Sequence, residues 1–560
     1  MKIRTFTLFL ACVLFLSACH TDYQIVQVTG TRHKIDASLD STPHDLATEY
    51  LIRFQEEVRQ IQAPILGVST QQLEANRPES PLSNLTADIL RKAALKYGGE
   101  PADIGIMNMG GLRSSLPEGN ITVGDVYKVF PFENKLFTLS LTGEQLLDLF
   151  QCFAAVGGQG ISGAQLVISK DGKLLKATIN GETIEKSKVY RIATIDYLAE
   201  GNDGMSVLRK GIDRQLFDTL TLRQVVTEYI VEQTRNGEKI HSESDGRIQI
   251  KGAHLLPSSQ ERAKKEKKNG STSKSTAQGS ELSKESSSTI QPTDCSNISP
   301  SFSPKERGNE TSITILHSSD THSCIEPDAK TGLGGYVRRA TFVEQVRKKN
   351  PQVLLADCGD FSQGSLYYNL FKGAVEVALM NVIGYDVATI GNHEFDFGLD
   401  NMMRIFAMAE FPIVSTNYDF TGTPVESFVR PYHITEVNGI TIGFVGVGPQ
   451  LEGLVAETNC KGVVYHDPII TADSVASFLK TEKHCDVIVC LSHLGWENDK
   501  QLIANTQHLD IVLGGHSHSY FQEPIYYKNI DNRDIMLMHI GKNGQYISET
   551  IVRFKKAKVQ

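Results

Sequence analysis

Five short apolar, β-branched runs in the second half of the chain each stop at residues that can hold a cation or move a proton. Ile313-Thr314-Ile315-Leu316 leads into His317-Ser318-Ser319-Asp320-Thr321-His322, and Val353-Leu354-Leu355-Ala356 into Asp357-Cys358-Gly359-Asp360. Val387-Ala388-Thr389-Ile390 ends at Gly391-Asn392-His393-Glu394-Phe395-Asp396. Val487 to Leu491 precedes Ser492-His493, and Ile511 to Leu513 precedes Gly514-Gly515-His516-Ser517-His518. Buried parallel strands read this way when they end in ligand loops, because ligands of open α/β sheets collect beyond the carboxyl ends of strands. A single such end could be an ordinary turn, with asparagine and glycine present for backbone reasons. Five of them point to one site.

Asp-x-His and His-x-His spacings put both side chains on the same side of an extended segment, so each pair can reach one ion. The glycines permit close backbone approach. Carboxylates, imidazoles and an amide oxygen together suit two divalent metal ions (Zn, Mn or similar) that share one carboxylate. Such a pair, about 3.5–4 Å apart, polarises phosphoryl oxygens and lowers the pKa of water. Phosphate monoester hydrolysis needs that help, being among the slowest reactions in water. Cys324 and Cys358 fall beside the cluster and could act as soft ligands. The oxygen and nitrogen set is complete without them, so they are read as packing residues.

Asp320-Thr321-His322, Gly359-Asp360, Gly391-Asn392-His393-Glu394, His493 and Gly515-His516-Ser517-His518 resemble the calcineurin-like metallophosphoesterase signature, and within it the 5′-nucleotidase branch. The resemblance implies Asp320, His322 and His518 at a first metal, Asn392, His493 and His516 at a second, and Asp360 between them. His518 stands where some members carry glutamine. His393 is implied as the catalytic imidazole, with Asp396 holding its tautomer.

In the first half, Asn108-Met109-Gly110-Gly111-Leu112-Arg113, Phe130-Pro131-Phe132-Glu133-Asn134 and the run Asp196 to Gly204 are ordinary taken singly. In combination and order they resemble the nucleotide-binding domain of the 5′-nucleotidases. That resemblance implies Arg113 on the phosphate with Asn108 nearby, where a guanidinium fork suits the oxygens. It also implies Phe132 and Tyr197 around the base, Asn134 on the base edge and Asp203 on the ribose hydroxyls. Arg77 is a further phosphate candidate, but the family's Asn-(Leu/Met)-Gly-Asn run appears here as Pro81-Leu82-Ser83-Asn84. The family places its metal domain first; here it comes second.

These residues need elements to carry them. At 560 residues the chain is too long for one core. Residues 22–252 read as an α+β nucleotide-binding domain, with helices over His44 to Gln62 and Ser83 to Tyr97 and a helix from Gly143 capped by Thr142. Residues 253–309 are rich in Ser, Lys and Glu and read as a disordered linker with an r.m.s. span of roughly 40 Å. Residues 310–560 alternate short strands with helices, a layered α/β pattern, and the resemblance implies that they form the metallophosphatase domain. The fold class is α/β: a layered metallophosphoesterase β-sandwich flanked by helices, plus a separate α+β domain.

A net charge of −9 gives no electrostatic footprint for a nucleic-acid polymer. Nine cysteines without CxxC spacing argue against a disulfide scaffold or zinc ribbon. Lys2 and Arg4 precede an apolar run from Phe6 to Leu16, followed by Leu16-Ser17-Ala18-Cys19. This resembles a bacterial lipoprotein signal over residues 1–19, with lipid on Cys19 as a membrane anchor. An exported lipoprotein of the cell envelope is expected, at the periplasmic face or outer-membrane surface. The expected activity is hydrolysis of nucleoside 5′-monophosphates. The alternatives are a 2′,3′-cyclic phosphodiesterase/3′-nucleotidase, a nucleotide-sugar hydrolase, or a non-catalytic nucleotide-binding surface lipoprotein.

Overall fold

The computed structural model describes residues 23–251, 310–329 and 331–556; Cys19 and the expected linker 253–309 lie outside the described residues. The second half of the chain builds two packed sheets. One runs Tyr546–Lys556, Glu310–Ser318, Val353–Asp357, Val387–Thr389, Ile413–Val414, Val429–Arg430. The other runs His433–Val437, Ile440–Val447, Val487–Ser492, Ile511–Gly514, Asp534–His539, Ile525–Lys528. Ile313, Ile315 and Val387 of the first share a buried core with Phe444, Val489 and Leu513 of the second. Helices Tyr336–Lys349, Ala374–Ile383 and Gly398–Phe406 place Ala340, Val377 and Ile405 in a second core with Leu316 and Leu355 of the first sheet. Neighbouring strands that carry the five loops are parallel, three in one sheet and two in the other. This is why those strands are apolar on both faces.

The first sheet has a seventh strand, and it comes from the opposite end of the chain. Strand β1 (Tyr23–Lys34) pairs antiparallel with Tyr546–Lys556 over its whole length, Tyr23 opposite Lys556 and Lys34 opposite Tyr546. Helix α1 (Asp45–Gln62) follows, and it buries Ala47, Leu51 and Val58 in the core of the metal domain, while Gln62 at its end meets Gly124 of the nucleotide domain. The boundary at residue 22 therefore needs correcting: residues 23–62 belong structurally to the second domain. The partners of β1 lie about five hundred positions away in the chain and those of α1 about three hundred, so no local pattern betrays them. Arg32 on β1 donates to the carbonyl of Phe521 at 2.8 Å and lies 3.9 Å from the centre of the Tyr520 ring. That prop bears on the turn just after His518.

The nucleotide domain begins at Ile65–Ser69. Its five-stranded sheet runs Ile212–Thr221, Lys135–Thr142, Val189–Ile195, Ile104–Met107, Gly160–Ser162. Helix Pro81–Gly98 packs Leu85, Ile89 and Leu90 into the same core as Ile104 and Ile192. Ser80 caps that helix reciprocally with Ser83, and Thr142 caps Gly143–Ala155 with Gln145, so both helix starts are fixed by side chains. The two domains touch directly. The Asp203 N–H donates to the Gly453 carbonyl at 3.1 Å, Tyr197 Oη to Leu454 at 3.3 Å, and Asn369 Nδ2 to Pro131 at 2.7 Å.

Candidate metal centre and nucleotide cleft

The strand ends converge. Ligand atoms of Asp320, His322 and His518 lie within 4.8 Å of one another, as do those of Asp360, His493 and His516. Asp360 also groups with His322 and His393, which puts it between the two clusters. Asn392 is buried, and among the described residues its Oδ1 has no hydrogen-bond partner.

The route to convergence differs from the extended alternation expected of Asp-x-His and His-x-His. Asp320, His322, Asp360, His516 and His518 all have left-handed backbone, with φ of 49°, 45°, 55°, 70° and 53°. That conformation costs a non-glycine residue about 1–2 kcal/mol, and surrounding contacts must hold it. Asp320 accepts the His516 N–H at 2.9 Å, Asp360 accepts the His393 N–H at 2.9 Å, and the Asn543 N–H donates to the Asp320 carbonyl at 2.7 Å. Glu394 does the most. Its buried carboxylate accepts the N–H groups of Gly391, Asp360 and Ser362 at 2.6, 2.9 and 3.0 Å, tying two ligand loops together. It stands in the Gly-Asn-His-Glu run, yet nothing in its type separates it from a surface carboxylate. A Cβ on Gly359 would come within 2.5 Å of the Gly391 nitrogen, so only glycine permits this approach.

The donor set fits cations. His493 Nδ1 lies 2.7 Å from the Cys358 carbonyl, which places a proton on Nδ1 and leaves Nε2 as a lone pair. That Nε2 lies 3.0 Å from Asp360 Oδ2. Two acceptors so close repel unless a positive charge lies between them. A proton can serve: burial opposes a charged ring, but Asp360 outweighs it and pushes His493 up to about 10. His322 and His518 likewise face each other through Nε2 at 2.8 Å. Burial holds His516 down at about 4 and His518 at about 3, so both are neutral near pH 7, the state a metal requires. Cys358 is fully buried and donates to the Leu513 carbonyl at 3.2 Å, in keeping with a packing role.

His393 Nδ1 lies 3.0 Å from Asp396 Oδ2. Burial pulls the His393 pKa down, but Asp396 and Asp360 together carry it above the ordinary value. Its ring packs against Phe132, centroids 5.8 Å apart and planes 30° apart.

His393, Asp396 and Asn392 form one wall of a cleft of about 440 Å³ between the domains. Asn108, Arg113, Phe132, Asn134, Tyr197 and Asp203 all line it. Among the described residues the Arg113 guanidinium makes no hydrogen bond, and Asp360, Asp396 and Asp320 oppose the downward pull of burial on it. Arg77 is not among the lining residues; its guanidinium donates to the Gly158 carbonyl. Sequence reasoning missed Tyr368, Phe397 and the stretch from Leu454 to Asn459, which complete the cleft. No residue type in that stretch signals a ligand; only domain docking brings it there.

A profile of the 5′-nucleotidase C-terminal domain matches residues 60–210, and one of the calcineurin-like phosphoesterases matches residues 313–520. The chain belongs to the 5′-nucleotidase family. It carries the two domains in reversed order, and its calcineurin-like phosphoesterase domain holds His/Asp clusters that could bind divalent metals. The trifunctional nucleotide phosphoesterase protein YfkN of Bacillus subtilis is 25% identical over 535 residues, 81% of this chain and 35% of that one. The 5′-nucleotidase of Bos taurus is 30% identical over 268 residues, 43% of this chain and 46% of that one. The solved 5′-nucleotidase precursor of Thermus thermophilus is 27% identical at a TM-score of 0.39, covering 42% of this chain and 50% of that one. This family member thus spans between about a third and a half of these relatives' length.

Proposed function

We propose that the protein hydrolyses nucleoside 5′-monophosphates to nucleoside and phosphate. One observation carries this reading: the His393–Asp396 pair and the free Arg113 guanidinium line the same cleft as Phe132, Asn134 and Tyr197. Asp320, His322 and His518 would hold one divalent ion, Asn392, His493 and His516 another, with Asp360 shared. Two such ions, when bound, would supply Lewis-acid polarisation of the phosphoryl oxygens and would acidify water. Arg113 binds and orients the phosphate, with Asn108 beside it. His393 carries a proton on Nε2 for the leaving ribose oxygen, while Asp396 accepts the Nδ1 proton and fixes the ring. Phe132 and Tyr197 stack the base, Asn134 bonds its edge, and Asp203 takes the ribose hydroxyls.

Comparing AMP, 2′,3′-cyclic AMP and UDP-glucose with zinc or manganese supplied tests it. Phosphate release from AMP well ahead of the others is expected. Release that never occurs defeats the reading and leaves a nucleotide-binding lipoprotein; release that survives complete metal removal defeats the metal-dependent reading. Comparable rates on all three point to a broader phosphoesterase, which the trifunctional B. subtilis relative favours. Export and anchoring through a lipidated Cys19 belong to the same proposal. Fatty-acid labelling that persists in Cys19→Ser would remove that part.

A further inference from the structure

The base end of the cleft is acidic. Glu133, Asp196 and Glu200 line it, and the field of Glu457 also reaches Glu200. Of these three, Asp196 and Glu133 are already engaged. Asp196 accepts the backbone N–H groups of Lys135 and Tyr197 at 3.0 and 2.8 Å. Glu133 pairs with Arg223 and accepts Asn369 Nδ2 at 3.3 Å.

Glu200 is free. Among the described residues its carboxylate accepts no hydrogen bond and joins no ion pair within 4 Å; Arg214 and Arg209 act on it only at longer range. Arg214 is committed to the carbonyls of Leu208 and Ala199 at 2.8 and 2.9 Å. Arg209 donates to the Glu200 carbonyl and approaches Glu452 at 3.8 Å. Glu200 follows Tyr197 by three residues across the short helix Asp196–Ala199, a spacing that puts both on one side of the turn. Both line the cleft.

We infer that Glu200 is a specificity-determining residue that selects nucleotides whose base carries an exocyclic amino group, an inference that rests on the nucleotidase reading. An ionised carboxylate only accepts hydrogen bonds. The amino group of adenine or cytosine donates to it. Hypoxanthine and uracil place a carbonyl oxygen at the same position, lone pair against negative charge. Asn134 cannot make this distinction, because its amide offers a donor and an acceptor and can turn either toward the base. A site that leaves a polar group unpaired with the wrong substrate discriminates far better than one that only loses apolar contact.

The test measures kcat/KM on the metal-loaded full chain for AMP against IMP and for CMP against UMP, in the natural protein and in Glu200→Gln. Roughly tenfold preference for the amino base is expected in both pairs, falling toward parity in the variant. Each ratio is taken within one preparation, so partial misfolding cancels. Parity in the natural protein, or an unchanged ratio in Glu200→Gln, overturns the inference. Failure to hydrolyse any of the four nucleotides, with 4-nitrophenyl phosphate still cleaved, defeats the nucleotidase reading and the inference with it.

Discussion

The two walls of the cleft are made differently. On the metal side Asp320, His322, Asp360, Asn392 and His493 are between 0% and 5% exposed, and five ligands are locked in left-handed backbone by amide hydrogen bonds. On the nucleotide side Arg113, Phe132, Asn134 and Tyr197 are only half-buried, and Asp203 is exposed. The first wall commits conformational energy to fixed geometry, as transition-state stabilisation requires. On the proposed reading the second would rely on stacking and a few polar contacts. Chemistry and selectivity are therefore separable by mutation.

Four changes test that separation, beginning with the largest effect. Asp360→Ala removes the shared carboxylate, so metal analysis should show fewer than two ions. Hydrolysis of AMP and of 4-nitrophenyl phosphate should fall together, by about a thousandfold or more. Loss of only one activity would break the comparison. His393→Ala should cost about 10²–10⁴ in kcat on both substrates while metal content stays at two. Phe132→Ala or Tyr197→Ala should weaken AMP by about tenfold, mostly in KM, and spare ribose 5-phosphate. A large kcat loss on ribose 5-phosphate in Phe132→Ala would mean that the ring acts mainly by packing on His393.

The smallest effect lies behind the metal wall. Glu376 is fully buried beneath the His322 turn, accepts the Ser323 hydroxyl, and is pushed by burial up to about 7. Its folded pKa exceeds the unfolded value, so between about pH 4.5 and 7 the native state holds the extra proton. Stability from this group then falls as pH rises through that window. Glu376→Gln should be nearly neutral at pH 5 and gain about 1 kcal/mol relative to the parent at pH 8, read from urea unfolding at both.

Much of the metal wall was legible because it repeats one local pattern five times, and each strand-then-loop sequence carries its own signal. Six of the seven expected ligands cluster at one place and Asn392 lines the adjoining cleft, and in the other domain helix Pro81–Gly98 falls within two residues of the expected Ser83 to Tyr97. The left-handed turns were not legible, since aspartate and histidine do not announce positive φ as glycine does. Nor was Glu394, whose three amide contacts come partly from another loop. The stretch Leu454 to Asn459 and the membership of β1 and α1 depend wholly on long-range docking. There the sequence holds ordinary strand and helix patterns that suit either domain.

The placement of β1 has a consequence for how the chain can be divided. The polypeptide passes from one domain to the other through α1, and both elements that close the metal domain travel with the nucleotide domain. A cut anywhere within residues 253–309 leaves every strand pairing described above intact. Co-expressed as two polypeptides, 23–251 and 310–556, the protein is thus a natural candidate for split-enzyme reconstitution. The later piece produced alone would present Tyr546–Lys556 as a bare sheet edge, the kind of surface that drives aggregation.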